Sequence, residues 1–451
     1  MNKMGAPEAM AETMTSAAIA FDVGIDDRLP IGETLALAVQ NISVMATMTI
    51  FPGLLGRAFH MGLDQIAYLY GICFMVCGLT TIFQSVGLLR LPIVQGPWAP
   101  TFAALMVLGH LPGSDLGTAF GSFFVAAIIW VFCSIPVRGI SVISLIAGYL
   151  KGGVVSGVII VLSMIQLASA TVPHWLGTAN MPGFPVLNIV CGLVGIVMFM
   201  IFTLKGNILL RRGAVLIALA AGSALYFAFQ APHFQLFDGS PFFIVPTLFP
   251  FGFGTKPVFI VIFFLTLLPA GVQSIALYGL VGSWIGEALT VGRICQGVFA
   301  MAGGAVLGAT FGSFSTVCYE TNLSLLQSTK VASRYVTFTT GLMLVVLGGF
   351  AKIDMLFAAI PGPVMSAIST VLFGIVLVHG AKLIVSEQLN DCKFMIVGLS
   401  LFLGLGGLFV SPATLSGLPI LVQTIIDQPV ILGGTTVAVL YALLCGDRRT
   451  A

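Results

Sequence analysis

Glu320 is a carboxylate in an unusual setting: it lies in Gly312-Ser-Phe-Ser-Thr-Val-Cys-Tyr-Glu-Thr-Asn322, a polar interruption between long hydrophobic runs. Its neighbours Tyr319, Thr321 and Asn322 add two hydroxyls and an amide. A second interruption, Leu91-Pro-Ile-Val-Gln-Gly-Pro-Trp-Ala-Pro100, carries Trp98 and Ala99 between prolines. Gln40 and Asn41 break a third apolar run, and Gln273 breaks a fourth. Polar groups in an apolar medium cost free energy unless paired, so each needs a partner in the protein or in a ligand. As a set they can grip a small molecule through hydrogen bonds and stack a flat ring on the Trp98 indole. Glu320 can also exchange a proton, because lost hydration favours its neutral form.

Each residue has a plainer role beside this one. Gln40 and Asn41 point about 100° apart on a helix, so either can bond a neighbouring helix or wall a site. Thr321 and Asn322 suit the N-cap of a helix that restarts there. Trp98 fits a membrane interface as well as a ligand, and Glu320 at the mouth of a span can simply stay solvated. Gly304-xxx-Gly308-xxx-Gly312 is the small-residue face that lets a second helix approach closely.

Other chemistries lack their residues. No HExxH, GxSxG or GxxxxGK[ST] pattern occurs and the five histidines are isolated, so no enzyme activity is expected. The eight cysteines form no CxxC pair and read as core residues, with no metal and no cofactor. A net charge of +2 without a basic run excludes nucleic acid as a partner.

The elements that position these groups follow from composition. With 58% hydrophobic and 8% charged residues, the surface must be covered by lipid. The first 30 residues lack a signal-peptide core and read as an uncleaved tail. Runs of about 20 apolar residues, the length that crosses a bilayer, predict fourteen spans: 32–54, 66–88, 91–110, 116–136, 152–171, 185–204, 213–231, 257–281, 292–312, 314–330, 332–350, 355–378, 394–411 and 429–446. With both termini cytoplasmic, this count leaves only Arg57, Lys256 and Lys352 of 18 Lys and Arg on the outer side.

The two interrupted spans are third and tenth, so each is third in its half. Seven is odd, so the second half enters from the opposite face and the halves form an inverted repeat. Interrupted helices at matching positions of such halves point to a transporter's substrate site. The fold class expected is an all-α integral membrane protein with fourteen transmembrane segments in a 7+7 inverted repeat.

The residues also resemble the nucleobase–ascorbate transporter family. Gly24-Ile-Asp-Asp-Arg-Leu-Pro30 followed by Gln40-Asn41-Ile-Ser-Val-Met is similar to that family's opening, where Gln-His is commoner. Asn322-Leu-Ser-Leu-Leu-Gln-Ser-Thr329-Lys330 is similar to its span-ten signature, and Ile360-Pro-Gly-Pro-Val-Met365 to its span-twelve entrance. Three positions depart from the family pattern. The substrate-gripping Glu of span eight falls at Leu277, or at Ala276 with one gap; the signature Gln or Glu falls at Thr321; the signature Gly is Ser324. Gln273 lies one turn before Leu277, so its amide stands in for the missing acid.

The resemblance implies short strands in spans three and ten that meet at the substrate, and a core sliding against a gate in homodimers. The core is then 32–136 and 256–352, the gate 137–255 and 353–446, with cytoplasmic tails at 1–31 and 447–451. It further implies a plasma-membrane symporter of uracil, xanthine or urate-like heterocycles, driven by protons or sodium. An anion exchanger of sulfate-permease-like architecture, and a carrier of a non-nucleobase organic solute, are the alternative functions. A receptor or channel of the same fold is a third class.

Overall fold

The computed structural model describes residues 21–45, 48, 50–109, 111, 113–135, 137, 141–143, 153–177, 185–206, 210, 213–230, 242–287, 289–415 and 417–445. The side chains of Glu320, Thr321 and Ser324 lie outside this description, although their backbone is helical. The fold is mostly helical. In chain order the first half runs α1 (Ile31–Val44), α2 (Phe51–Ala58), α3 (Leu63–Ile82), β1 (Gln95–Pro97), α4 (Ala99–Gly109), α5 (Leu116–Ser134), α6 (Gly153–Leu176), α7 (Val186–Lys205) and α8 (Ala214–Phe229). The second runs α9 (Pro257–Trp284), α10 (Val291–Phe311), β2 (Thr316–Cys318), α11 (Glu320–Thr329), α12 (Arg334–Gly349), α13 (Ala351–Ala358) and α14 (Gly362–Ser386). It closes with α15 (Asp391–Gly407), α16 (Pro412–Leu415), α17 (Ile420–Asp427) and α18 (Pro429–Leu440).

Among the described residues seven helices are long and apolar enough to cross a membrane: α3, α5, α6, α7, α9, α10 and α14. Many of their large side chains face outward, as Phe132, Val186 and Met200 do, which lipid tolerates and water would not. Helices α3 and α12 pack together, as do α5 with α9 and α10, while α6 packs on α14 and α18, α7 on α8, and α15 on α18.

The interrupted spans each become a strand followed by a short helix. β1 and β2 pair antiparallel, Gln95 opposite Cys318, Gly96 opposite Val317 and Pro97 opposite Thr316. Trp98 N–H donates to Ser315 O (2.8 Å) and Tyr319 N–H to Val94 O (3.0 Å), which extends the ladder at both ends. On the flanks, Gln95 N–H donates to Thr81 Oγ1 of α3 (2.9 Å) and Cys318 N–H to Ser274 Oγ of α9 (3.3 Å). Prolines and polar residues make continuous helix costly here, and protein groups satisfy the extended backbone instead.

Several expected boundaries differ. The span expected at 355–378 begins only at Gly362, because Pro361 and Pro363 cannot continue the preceding ladder and α13 ends before them. The span expected at 32–54 is divided between α1 and α2. The end of the expected tail does not hang free: Asp22 N–H donates to Lys330 O (2.9 Å), Ala332 N–H to Val23 O (3.0 Å), and Arg334 pairs with Asp26 (2.6 Å). In the glycine series of α10, Gly304 faces Thr80 and Thr316, Gly308 faces the Phe314 carbonyl, and Gly312 is left-handed at φ 82°. The close approach there is partly that of the chain's own return towards β2.

Candidate functional site

Because β1 and β2 are antiparallel, the helices that follow them leave in opposite directions, α4 from one end of the short ribbon and α11 from the other. Their N-termini expose amide N–H groups with no partner inside the helix. A cavity of about 530 Å³, open solvent at its mouth included, lies there. Pro97, Trp98, Ala99, Val317, Cys318 and Tyr319 line it from the two strand ends, and Gln273 from α9. The facing wall is Ile160, Ser163 and Met164 of α6 with Phe373 and Val376 of α14, and Phe51 of α2 closes one end.

The side chains are fixed by their second contacts. Trp98 Nε1–H donates to Thr266 O (2.9 Å), beside the ladder break that Pro269 makes in α9, so only its ring is offered to the cavity. Phe51 stacks on Phe102 (centroids 5.1 Å) and on Phe373 (6.0 Å), giving a flat aromatic wall. Gln273 is buried. Below β1 a buried amide chain runs from Gln95 Nε2 to Gln84 Oε1 (2.7 Å), and from Gln84 Nε2 to Tyr278 Oη (2.7 Å) and Gly297 O (2.8 Å). It holds the strand in register. Gly96 packs face to face with the Tyr319 ring, where any Cβ would overlap it.

The structure brings Trp98, Ala99, Gln273 and Tyr319 into one cavity. Asn41 and Asn322 lie elsewhere: Asn322 Nδ2 donates to Asn41 Oδ1 (2.9 Å) and O (3.1 Å), and Asn41 Nδ2 donates to Thr340 Oγ1 (3.2 Å). They line a second, smaller pocket with Leu37, Thr329 and Thr337. Gln40 and Leu277 are buried and line neither. Tyr319 takes the N-cap position of α11, so Thr321 and Asn322 fall inside its first turn rather than capping it. The chain is still extended at Tyr319 because its amide belongs to the ladder. The Glu320 and Thr321 side chains lie outside the described residues.

Sequence reasoning missed Phe51, Ser163, Phe373 and the Gln84–Gln95 pair. Ser163 bonds Ile159 O of its own helix (2.8 Å), as many helical serines do, and nothing in its local sequence marks it. Gln84 did carry a signal, as an amide in an apolar run.

Residues 32–413 match a family model described as a permease family, of the xanthine and uracil type. The chain belongs to the nucleobase–ascorbate transporter family. It is therefore a membrane transporter rather than an enzyme. It is 27% identical to the uric acid permease PucJ of Bacillus subtilis, covering 90% of this chain and 91% of that one. It is 27% identical to the xanthine permease XanP of Escherichia coli, covering 98% of both, and 25% identical to the uric acid transporter UacT of the same species, covering 95% and 89%. Among solved structures it is similar to the transmembrane domain of the cyanobacterial bicarbonate transporter BicA (TM-score 0.53, 11% identity, 92% and 99% covered). It is also similar to the murine anion transporter Slc26a9 in an inward-facing state (TM-score 0.56, 11% identity, 92% and 69% covered). The likeness to anion transporters is one of fold; the family match does not favour the anion-exchanger alternative.

Proposed function

We propose that this transporter carries an oxidised purine of the xanthine or urate type across the plasma membrane. The make-up of the cavity carries the reading: flat rings at Phe51, Trp98 and Phe373, an amide at Gln273, a hydroxyl at Ser163, and the starts of α4 and α11. An amide both donates and accepts, whereas a carboxylate only accepts, so Gln273 suits a ring edge that alternates N–H and C=O. Relatives named for uric acid and xanthine support the same class.

The reading includes fourteen spans in a 7+7 inverted repeat, both termini cytoplasmic, and a homodimer. Core (32–136 and 256–352) and gate (137–255 and 353–446) slide past one another. In support, the cavity lies between strand-bearing elements of the core and α6 and α14 of the gate. A substrate held at β1 and β2 travels with the core from one membrane face to the other. Protons drive accumulation, with Glu320 as the coupling group at the start of α11.

Counterflow in proteoliposomes with labelled xanthine, urate and uracil tests the substrate class. Xanthine or urate should exchange, and failure of all three would remove the reading. Gln273→Ala should weaken purine binding about tenfold, the loss of roughly 1.4 kcal/mol of hydrogen bonding. An unchanged half-saturation concentration would put Gln273 outside the site. Glu320→Gln should still exchange substrate yet lose accumulation under a pH gradient; accumulation at the wild-type level would move the coupling to sodium or to another residue.

A further inference from the structure

A carboxylate that the transport site does not use lies where α13 meets α3. Asp354 is fully buried, and neither of its side-chain oxygens has a hydrogen-bond partner among the described residues. It rests on bare backbone: a Cβ added at Gly71 of α3 would come within 2.8 Å of Asp354 Oδ2 and 2.6 Å of Gly348 O. Ile244 covers the same spot, on a segment pinned by Ile244 N–H to Gly349 O (3.0 Å) and Ala351 N–H to Phe242 O (3.0 Å).

Among the described residues no cation is paired with it. On its own helix, the Lys352 ammonium sits over the Phe242 ring at 5.4 Å. Arg57 of α2 donates to the carbonyls of Ala358 and Ile360, at the far end of α13. On α3 the titratable neighbour is Tyr70, whose hydroxyl lies 3.6 Å from Met365 Sδ, with Cys73 beside it. Gly348 of α12 and Ile244 bring no ionisable group. The first turn of α13 favours an anion slightly. Complete loss of hydration outweighs this, and burial pushes the Asp354 carboxyl up to about 8. Burial of this kind favours the neutral acid.

We propose that Asp354 is a proton-binding site whose occupancy is tied to closure of the outer seam: docking α13 onto α3 takes up one proton from the outer solution, and parting them returns it. The proposal rests on the core-and-gate reading, in which Asp354 and the rest of α13 beyond residue 352 fall in the gate and α3 in the core. When the two part, water reaches the carboxylate and its ordinary acidity returns. A group whose closed-state pKa is raised favours closure fully below the ordinary carboxylate value of about 4. That preference is lost as pH rises through about 8. Acid outside therefore holds the seam shut.

The test uses the full-length protein in proteoliposomes. Dicyclohexylcarbodiimide, an apolar reagent that adds to protonated carboxyl groups, is applied near neutral pH and the Asp354 peptide read by mass spectrometry. An adduct at Asp354 is expected, and recovery of that peptide wholly unmodified overturns the proposal. Purine exchange is then followed at fixed internal and varied external pH. Asp354→Asn keeps the shape and stays neutral, so it should retain exchange and flatten the external profile, where one linked proton allows up to about tenfold change per pH unit. A profile as steep as that of wild type overturns the proposal. Should Asp354→Asn fail to fold, the adduct on wild type decides. Wild type that exchanges no purine sinks the substrate reading instead, and the adduct still decides the fate of Asp354.

Discussion

Gly96→Val is expected to abolish purine binding while the chain still inserts and folds. Gly96 lies in the middle of β1, opposite Val317, and its missing side chain is the space filled by the Tyr319 ring. That ring is part of the cavity wall. A valine forces either the ring out of place or the strands apart, and overpacking of this kind costs about 1–3 kcal/mol. Both outcomes alter the cavity that α4 and α11 frame, so the loss falls on binding. Insertion depends on the long apolar helices, which the substitution leaves alone. Equilibrium binding of labelled urate or xanthine to detergent-purified variant should fall at least tenfold, about 1.4 kcal/mol. Wild-type affinity would mean that the strand pair does not shape the site.

Arg57→Met is expected to loosen the seam on the same face as Asp354. The guanidinium is largely buried and donates to the carbonyls of Ala358 (3.1 Å) and Ile360, where α13 ends and the chain turns into α14. Ala358 O is a carbonyl that a terminating helix leaves unpaired, and Ile360 O lies in the turn just beyond. No carboxylate accompanies the charge among the described residues. Hydrogen bonds from a charged donor contribute about 1.5–3 kcal/mol each, so losing two exceeds most single-site effects. Methionine keeps much of the volume and none of the bonds. Thermal unfolding in detergent should drop by several degrees, and external maleimide should label a cysteine placed at Gly362 faster than in the Arg57 background. Unchanged labelling would show that the arginine does not hold the seam.

The membrane class and the interrupted spans were legible because each rests on local chemistry. Prolines at 92, 97 and 100 forbid a continuous helix wherever the chain goes, and the polar run from Ser313 to Asn322 cannot face lipid. Trp98, Ala99 and Tyr319 were legible as neighbours of those breaks, and Gln273 as an amide in an otherwise apolar run. What sequence could not separate was a polar residue serving a ligand from one serving another helix. Asn41 and Asn322 have the composition of site residues and bond chiefly to each other and Thr340, a choice set by the rotation of α1 against α11. Phe51, Ser163 and Phe373 reach the cavity only through tertiary packing, so no spacing announces them. Asp354 falls between the expected spans 332–350 and 355–378, and its burial depends on Gly71, far away in the chain.

The ribbon made by β1 and β2 has two open edges, and oil cannot supply the hydrogen bonds that water or a third strand would. Thr81 and Ser274 serve as the absent neighbours, one hydroxyl for each strand. The ribbon is therefore sewn to α3 on one flank and α9 on the other, and these two helices come from opposite halves of the chain. In the proposed sliding of core against gate, whatever displaces the ribbon drags both of them, so the binding groups keep their mutual geometry and only their surroundings change.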